Sequence, residues 1–458
     1  MARRTNTDAE KPPAGSGQAA GPDTTLWAWY GLGVLLMTTL FAFVVRQMLS
    51  LVAPSLQTSL GLTDLQIGML QGLGMAIFAS VASYPMGWLA DRFGRRLILA
   101  LGVACWSLAT ALSAFQYSFS GLFVATIGIA IGEAGLAPIV FALIPDLFPE
   151  RQRHTANFIF YGGTLLGAGL GMALGGAMLQ WLAHAHTALP DWLAHLDTWR
   201  LAMLAIALPG PLFFLLVLTM PLDRTGADAG EEPQAGDTMP LDFALYAKTH
   251  SHTLLTVFGS IFAMAVAMTS GVMWFPLALP RAFDVDAAAV GIGLGTAITV
   301  ATLIGVVLAP LALRIRGIGD DLEPVRVAGF FVMLTPLPAA LLPFTTSPFQ
   351  AYCVAALQGG LGIAASSLMP GVLQNLAPAH LRSRVLALLG ITNALALAAS
   401  PLAIGAISGL MTGPRAMMLA ITIVSLPALI LSAILIALAP APYAATLRAV
   451  RRDVSEEG

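Results

Sequence analysis

The chain has 458 residues, of which 57% are hydrophobic and only 10% charged, and its mean hydropathy is +0.81. A water-soluble fold would have to cover an implausible amount of apolar surface, so this composition predicts a polytopic membrane protein. The net charge of −2 gives no basis for binding nucleic acid. Cys105 and Cys353, the two cysteines, lie in apolar runs of opposite halves, which predicts neither a disulfide framework nor a thiolate metal site.

The chain begins with a polar segment and continues with twelve apolar runs. Residues 1–25 are rich in Gly, Pro, Ala and polar groups without the apolar core of a signal peptide, which predicts a disordered cytoplasmic tail. Each later run is long enough for the roughly 20 residues that cross a hydrocarbon core. The predicted spans are 26–54, 65–90, 96–117, 119–145, 155–182, 200–220, 253–279, 287–313, 325–345, 347–375, 384–410 and 415–439.

A polar interruption between the sixth and seventh spans divides the chain into two groups of six. Residues 221–252 are rich in acidic side chains, Gly and Pro, and they predict a cytoplasmic linker between helical bundles at 26–220 and 253–440. A cytoplasmic tail at 441–458 completes the chain. Most Lys and Arg residues fall in loops on one side, which predicts that both termini are cytoplasmic in a bacterial-type inner membrane.

The loop between the second and third spans has an unusual composition, with two glycines, an acid and three arginines between residues 87 and 96. Asp91 lies where the helix leaves the membrane, Gly87 would let a neighbouring backbone come close, and Gly94 permits the chain to reverse. A tight inner loop could also carry Asp and Arg only as a topology signal. The residues predicted to form a cytoplasmic gate are Gly87, Asp91, Arg92, Gly94, Arg95, Arg151 and Arg153.

This loop resembles the one between the second and third helices of major facilitator transporters. The resemblance implies an all-α membrane fold of twelve helices in two six-helix bundles that rock against each other. Asp91 would then latch the cytoplasmic side through a nearby arginine or helix end while the cavity faces outward.

The first span contains an isolated cation, Arg46, and the fourth contains an acid, Glu133. A charge within the hydrocarbon costs at least about 3 kcal/mol unless it faces a partner or a watery cavity. Glu133 falls near the middle of the membrane, within reach of a long arginine side chain. The two residues either form an ion pair that only fixes helix packing, or they line a central cavity. In the cavity Arg46 would meet an anionic substrate group while Glu133 titrates or balances it.

Other polar residues within the spans are further candidates to contact a substrate. They are Gln71, Asn157, Tyr161, Trp274, Gln358 and Asn393. Each could instead bond only to a neighbouring helix. The fifth span is rich in glycine, which would let helices approach closely and suits either a gating helix or simple tight packing.

Several motifs resemble one branch of that superfamily, the Spinster-like transporters. They are Arg46-Gln47-x-Leu49-Ser50, Gly132-Glu133-Ala134, Asp146-Leu147-Phe148 before Arg153, Trp199-Arg200, Trp274-x-Pro276 with Arg281, and Asn393 with Pro401. The resemblance implies alternating access, often with proton coupling, and a lysolipid or sphingoid lipid phosphate as substrate. It also implies contact with membrane lipids, and we expect a monomer.

Two positions depart from the branch. Val45 stands where the family usually has Asp, and Thr126 where it usually has Arg. Proton coupling would therefore depend on Glu133, and facilitated diffusion or exchange is the alternative to coupled transport. A transporter of small organic anions or drugs is the alternative, and a receptor or scaffold that has lost transport is a third reading.

No motif in the sequence indicates catalysis or a bound cofactor. A glycine-rich phosphate loop with its lysine is missing, as is a supported Ser/His/Asp arrangement, so we predict neither an enzyme nor a cofactor. His184, His186 and His195 lie near acidic residues in the loop before the sixth span. The tryptophans and leucines beside them favour an interfacial helix over a metal site.

Overall fold

The structure, a computed structural model, describes residues 22–185, 190, 193, 195–220, 240–316, 322–378 and 381–456. Twelve helices within these ranges are long and apolar enough to cross a membrane, so the predicted number of spans is confirmed. Spans 1 to 6 are Pro22–Leu51, Asp64–Phe93, Arg95–Ser113, Phe119–Leu147, Glu150–Ala185 and Thr198–Leu218. Spans 7 to 12 are Ser251–Phe283, Ala287–Arg316, Glu323–Phe344, Pro348–Leu376, Arg382–Ser408 and Ala416–Leu438.

Four of the spans contain a break or a change of helix type. Span 2 consists of Asp64–Gly68, a π-helix at Met69–Gly74, and Met75–Phe93. Span 4 divides into Phe119–Ala134 and Leu136–Leu147, and span 6 into Thr198–Ala207 and Gly210–Leu218. Span 9 consists of Glu323–Leu334, Pro336–Leu341 and a 3₁₀ turn at Leu342–Phe344.

Within the described ranges, three further helices lie between or after the spans. Ala53–Leu60 follows span 1, and Pro240–Thr249 occupies the end of the predicted linker, whose residues 221–239 lie outside the described part. The predicted C-terminal tail contains a helix, Pro440–Glu456, that packs on spans 7, 10 and 12. Most of the predicted N-terminal tail, residues 1–21, also lies outside the described residues.

The buried side chains show where the two halves of the molecule meet. We call the end at which span 1 stops and span 2 starts the outer end, and the opposite end the inner end. One core extends through the N-terminal half and includes residues from the outer parts of spans 7 to 12. A separate core occupies the inner part of the C-terminal half. The halves therefore share one apolar core towards the outer end.

The surroundings of glycines on the facing helices of the two halves show the same difference between the outer and the inner end. At the outer end a Cβ on Gly68 would lie 2.5 Å from the carbonyl oxygen of Pro401, and one on Gly176 would lie 2.7 Å from that of Ala288. At the inner end a Cβ on Gly87 would meet nothing within 4 Å. Span 2 and span 11 thus touch at the outer end, as do spans 5 and 8, while span 2 faces open space at Gly87 near its inner end.

Candidate substrate cavity

The structure brings Arg46 and Glu133 together. Arg46 Nη2 donates a hydrogen bond to Glu133 Oε2 at 2.6 Å, joining span 1 to the middle of span 4. The Glu133 side chain is 4% exposed, whereas that of Arg46 is 35% exposed. A pair with one accessible member can do more than fix helix packing, because the guanidinium keeps donors that a ligand can reach.

A cavity of about 250 Å³ lies beside this pair, between spans 1, 4 and 5. Its walls are mainly apolar, and its polar groups are the charged pair and three hydroxyls. The lining residues are Thr39, Ala42, Phe43, Arg46, Glu133, Leu136, Ala137, Phe141, Phe160, Tyr161 and Thr164. A cation at one position of an apolar cavity suits a molecule with one anionic group and an apolar body.

Glycines in spans 4 and 5 shape the cavity wall. A Cβ on Gly132 would lie 2.6 Å from Trp106 N of span 3, so glycine allows span 4 to pack closely there, one residue before Glu133. A Cβ on Gly167 of span 5 would lie against the ring of Phe43, while one on Gly171 would lie 2.9 Å from the Phe43 backbone. These positions let span 5 approach span 1 closely enough to complete the cavity.

Of the other predicted substrate residues, Tyr161 lines the cavity and Asn157 lies one turn before it, half-buried. Gln71, Trp274, Gln358 and Asn393 belong to spans 2, 7, 10 and 11 and lie elsewhere.

These four differ in their surroundings. Trp274 is fully buried against Gly68 of span 2 at the contact between the halves. Gln71 is 3% exposed, and neither polar atom of its amide has a hydrogen-bond partner among the described residues. Gln358 is buried and Asn393 is exposed.

Sequence reasoning missed two kinds of lining residue. Thr39 and Thr164 supply hydroxyls, and Phe141 and Phe160 supply aromatic walls. Thr39 lies seven residues before Arg46, which is the helical spacing of one face, so that spacing was a usable signal. The phenylalanines gave no signal, because apolar residues cover every face of these spans.

Two of the predicted gate residues, Asp91 and Arg95, belong to a polar cluster at the inner end of the N-terminal half. Arg95 Nη1 donates to Asp146 Oδ2 at 2.7 Å and to the Ala142 carbonyl at 3.0 Å, and Arg95 Nη2 lies 3.5 Å from Asp91 Oδ1. Asp91, 71% exposed, therefore has Arg95 as its neighbour, and Arg95 ties the loop to the end of span 4.

The remaining gate residues have separate surroundings. Gly94 adopts φ 99°, which explains why glycine is needed where the chain reverses. Arg153 donates to the carbonyls of Phe148 and Pro145, and Arg92 lies over the Trp88 ring. Arg151 is exposed. The close backbone approach expected at Gly87 is not present in this structure.

The histidine-rich loop before span 6 is only partly described. His184 Nδ1 lies 2.7 Å from the Gln180 carbonyl, so its ring bonds within its own helix. His186 lies outside the described residues. Among the residues that the structure does describe, no three His, Cys, Asp or Glu side chains are grouped as a metal site requires.

Residues 35–401 match the sequence model of the Major Facilitator Superfamily. The sphingosine-1-phosphate transporter SPNS2 of Mus musculus is 30% identical over 255 residues, 54% of this chain and 43% of the relative. Protein spinster homolog 1 of Xenopus laevis is 32% identical over 158 residues, 34% of this chain and 30% of the relative. The hexuronate transporter of Bacillus subtilis is 25% identical over 251 residues, 53% of this chain and 54% of the relative. The match thus spans about half or less of each curated relative.

Solved structures show the same fold. A bacterial homolog to the human lysosomal transporter Spinster, inward-facing and unoccupied, superposes with a TM-score of 0.73 at 20% identity. The superposition covers 93% of this chain and 98% of that chain. The inward-open xylose transporter XylE of E. coli superposes with a TM-score of 0.63 at 15% identity, over 88% and 95% of the two chains. The fold and the Spinster-like resemblance predicted from the motifs are confirmed.

Proposed function

The chain belongs to the major facilitator superfamily, and from this membership and the chemistry of the cavity we propose that it is a Spinster-like transporter of a single-chain anionic amphiphile. The substrate class is a lysolipid or a sphingoid phosphate. The observation that carries the proposal is the half-exposed Arg46 at a mainly apolar cavity. The guanidinium would bind the anionic head group, and the aromatic walls would receive the start of the chain.

Alternating access would follow from the way the halves meet. They pack together at the outer end and separate at the inner end, so the cavity would load from the inner side in this conformation. Exposed apolar residues on the inner parts of spans 5 and 8 are compatible with a lateral route from the membrane. Phe158 is 73% exposed on span 5, and Val307 is 64% exposed on span 8.

Coupling to protons would depend on Glu133. Val45, at the position where an acid is usual, is buried and apolar, and Thr126 donates its hydroxyl to the Leu122 carbonyl. Arg46 is therefore the cation that balances Glu133 in this chain. When a substrate anion takes Arg46, Glu133 would be left without its partner. If a proton is transported together with the anion, it would neutralise Glu133 and keep the cavity free of net charge. In exchange or facilitated diffusion, no proton would enter and the Arg46–Glu133 pair would be intact between cycles.

A transporter of small organic anions is the second candidate. The cavity of about 250 Å³ would hold a head group or a small acid more readily than a long chain, and the Bacillus relative is named a hexuronate transporter. A receptor or scaffold without transport is the third reading, and the half-exposed cation at an open cavity argues against it. We further propose a monomer in a bacterial-type inner membrane, with both termini cytoplasmic.

Uptake into proteoliposomes tests the proposal directly. The native chain and Glu133→Gln are assayed with a panel of lysolipids and small organic acids, with and without a pH gradient. Glu323→Gln, which changes an acid at the inner end of span 9 beside Arg326, is the matched control. Saturable lysolipid uptake that Glu133→Gln abolishes supports the proposal, and its response to the gradient reports on coupling. Uptake of organic acids alone would favour a transporter of small organic anions. No uptake of either class would favour a receptor or scaffold without transport.

A further inference from the structure

Gln71 of span 2 is a buried primary amide without a hydrogen-bond partner. The residue is 3% exposed, and neither Oε1 nor Nε2 has a partner among the described residues. Gln47 of span 1, which is also buried, has the usual arrangement, because its Nε2 donates to the Ala168 carbonyl at 3.4 Å. A buried amide that is not bonded gives up its hydrogen bonds to water without replacing them, and this raises the free energy of the conformation that buries it.

Gln71 lies where span 2 packs against span 11 of the other half. Three residues before it, a Cβ on Gly68 would lie 2.5 Å from the Pro401 carbonyl oxygen. Directly after it, a Cβ on Gly72 would lie 3.0 Å from the Ala398 carbonyl oxygen. The contact between the two halves therefore encloses the stretch of helix that carries the amide.

The other side of this stretch packs against span 4. Three residues after Gln71, at the end of the π-helix Met69–Gly74, a Cβ on Gly74 would lie 3.3 Å from the methyl group of Thr126. The Thr126 hydroxyl donates to the Leu122 carbonyl within its own helix. On this side span 2 thus meets a methyl group and a hydroxyl whose proton is already bonded.

A second polar group at the same contact comes from the C-terminal half. Trp274 of span 7 is fully buried, and a Cβ on Gly68 would lie 3.3 Å from its ring. Its Nε1, like the amide of Gln71, has no hydrogen-bond partner among the described residues. Each half therefore buries an unbonded polar group where it packs against the other.

These polar groups act against the rest of the contact between the halves. The shared core and the close helix contacts remove apolar surface from water, which favours a closed outer end. A group that is bonded to water in the open state and unbonded in the closed state has the opposite effect. Removing its polar atoms should therefore strengthen the closed state, which is the reverse of what the loss of an ordinary contact does.

We propose that Gln71 keeps the outer end able to open, because its amide loses hydrogen bonds when the halves close and regains them from water when they part. This inference rests on the proposed alternating access, since a rocking motion is what would part span 2 from span 11. Gln71 does not line the cavity beside Arg46, so this role is separate from substrate binding.

The rate at which a buried cysteine at the outer end reacts with a water-soluble maleimide measures how often that end opens. In the purified full chain with Cys105→Ser and Cys353→Ser, the reporter is Ile404→Cys, because Ile404 is fully buried in the core that the halves share. Leu373→Cys, fully buried in the separate core of the C-terminal half, reports unfolding instead. Labelling is followed without substrate and well below the melting temperature.

Two substitutions change the amide in opposite directions. Gln71→Met removes it at similar length and volume, whereas Gln71→Glu replaces it by an acid that is still harder to bury without a partner. Gln47→Met is the matched control, because the Gln47 amide is bonded within the N-terminal half.

We expect Gln71→Met to slow the labelling of Ile404→Cys by about 5- to 140-fold, the effect of one buried polar group without a partner. Gln71→Glu should speed the labelling, and Gln47→Met should leave its rate unchanged. Leu373→Cys should stay unlabelled in every variant, which shows that the reporter follows opening and not unfolding.

Unchanged or faster labelling in Gln71→Met would overturn the proposal, because it would show that the amide is bonded in the closed state. An equal slowing in Gln47→Met would also overturn it, since the loss of any buried amide would then suffice. If Ile404→Cys is not labelled even with Gln71 in place, the outer end does not open, and the role of Gln71 fails together with alternating access.

The labelling rates are independent of which molecule is transported, because no substrate is present. Slower labelling in Gln71→Met alongside failed lysolipid uptake by the native chain would keep the role of Gln71 and reject the proposed substrate. Lysolipid uptake by the native chain with unchanged labelling in Gln71→Met would reject the role of Gln71 and keep the substrate.

Discussion

Replacing Arg46 by glutamine should separate recognition of an anionic head group from recognition of an apolar chain. The side chain donates to Glu133 and remains 35% exposed beside the cavity, so it can meet a ligand phosphate. A hydrogen bond to a charged group contributes about 1.5–3 kcal/mol, and each 1.4 kcal/mol is a factor of ten in affinity. We therefore expect Arg46→Gln to weaken binding of a single-chain phosphate amphiphile by roughly 10- to 150-fold.

The same substitution should also lower stability, because it leaves Glu133, 4% exposed, without its cation. Removing one partner of a buried pair costs about 3–5 kcal/mol. The double variant Arg46→Gln with Glu133→Gln removes both charges and should recover most of the thermal stability. It should not recover binding of the anion. Loss of fold and loss of recognition are thereby measured apart.

Binding is measured on purified protein in nanodiscs with two ligands of equal chain length, the phosphate amphiphile and a neutral monoacylglycerol. Arg46→Lys keeps the charge and should retain binding within several-fold. Arg415→Gln, at the outer end where the arginine donates to the Pro343 carbonyl, is the matched control. Equal loss for both ligands, or no loss for the phosphate in the stable double variant, would refute a head-group role for Arg46.

Three further substitutions probe the remaining elements. Asp91→Asn should leave the melting temperature unchanged, because a 71% exposed carboxylate adds little to folding. It should lower the rate of uptake, and an unchanged rate would contradict the hypothesis that Asp91 latches the cytoplasmic side. Gly171→Leu should destabilise the protein by several kcal/mol, since even its Cβ would lie 2.9 Å from the Phe43 backbone; an unaltered thermal midpoint would contradict that packing. Burial raises the pKa of Tyr246, which donates to the Leu376 carbonyl, to about 12. Its contribution to stability is therefore complete below pH 10 and is lost as pH rises through about 12. Tyr246→Phe should remove this alkaline component from unfolding curves, and an identical curve would show that the buried hydroxyl is not its source.

The sequence predicted the parts of this fold that the membrane itself dictates. Span limits were predicted to within a few residues, because the hydrocarbon core sets both the length and the composition of each helix. Arg46 and Glu133 could be matched because a charge in that environment requires a partner, and there were few to choose from.

What the sequence did not predict lies where the membrane exerts no such constraint. The sequence did not predict the ion pair that Asp64 of span 2 forms with Arg281 of span 7. Both residues lie at helix ends in reach of water, where any polar residue is acceptable, and 217 positions separate them in the chain. The π-helix at Met69–Gly74 was not predicted either, because a glutamine and two glycines in an apolar run are equally compatible with an α-helix. Trp274 was expected in a cavity, but an indole is equally suited to a packed seam, and the structure buries it there.

The two ends of the molecule differ in how they can close. The outer end combines a shared apolar core with charges contributed by both halves, Asp64 from one and Arg281 from the other. At the inner end, Asp91, Arg95 and Asp146 bond within the N-terminal half. At the end of span 8, the segment 309–314 resembles the Asp91 loop as a degenerate copy, and it has Leu313 at the position of Asp91. The second half therefore has no counterpart of Asp91 at this position, and inner closure would depend on other charged groups, on helix ends or on substrate. We expect the empty protein to rest with its inner end open, because the packed contact between the halves lies at the outer end.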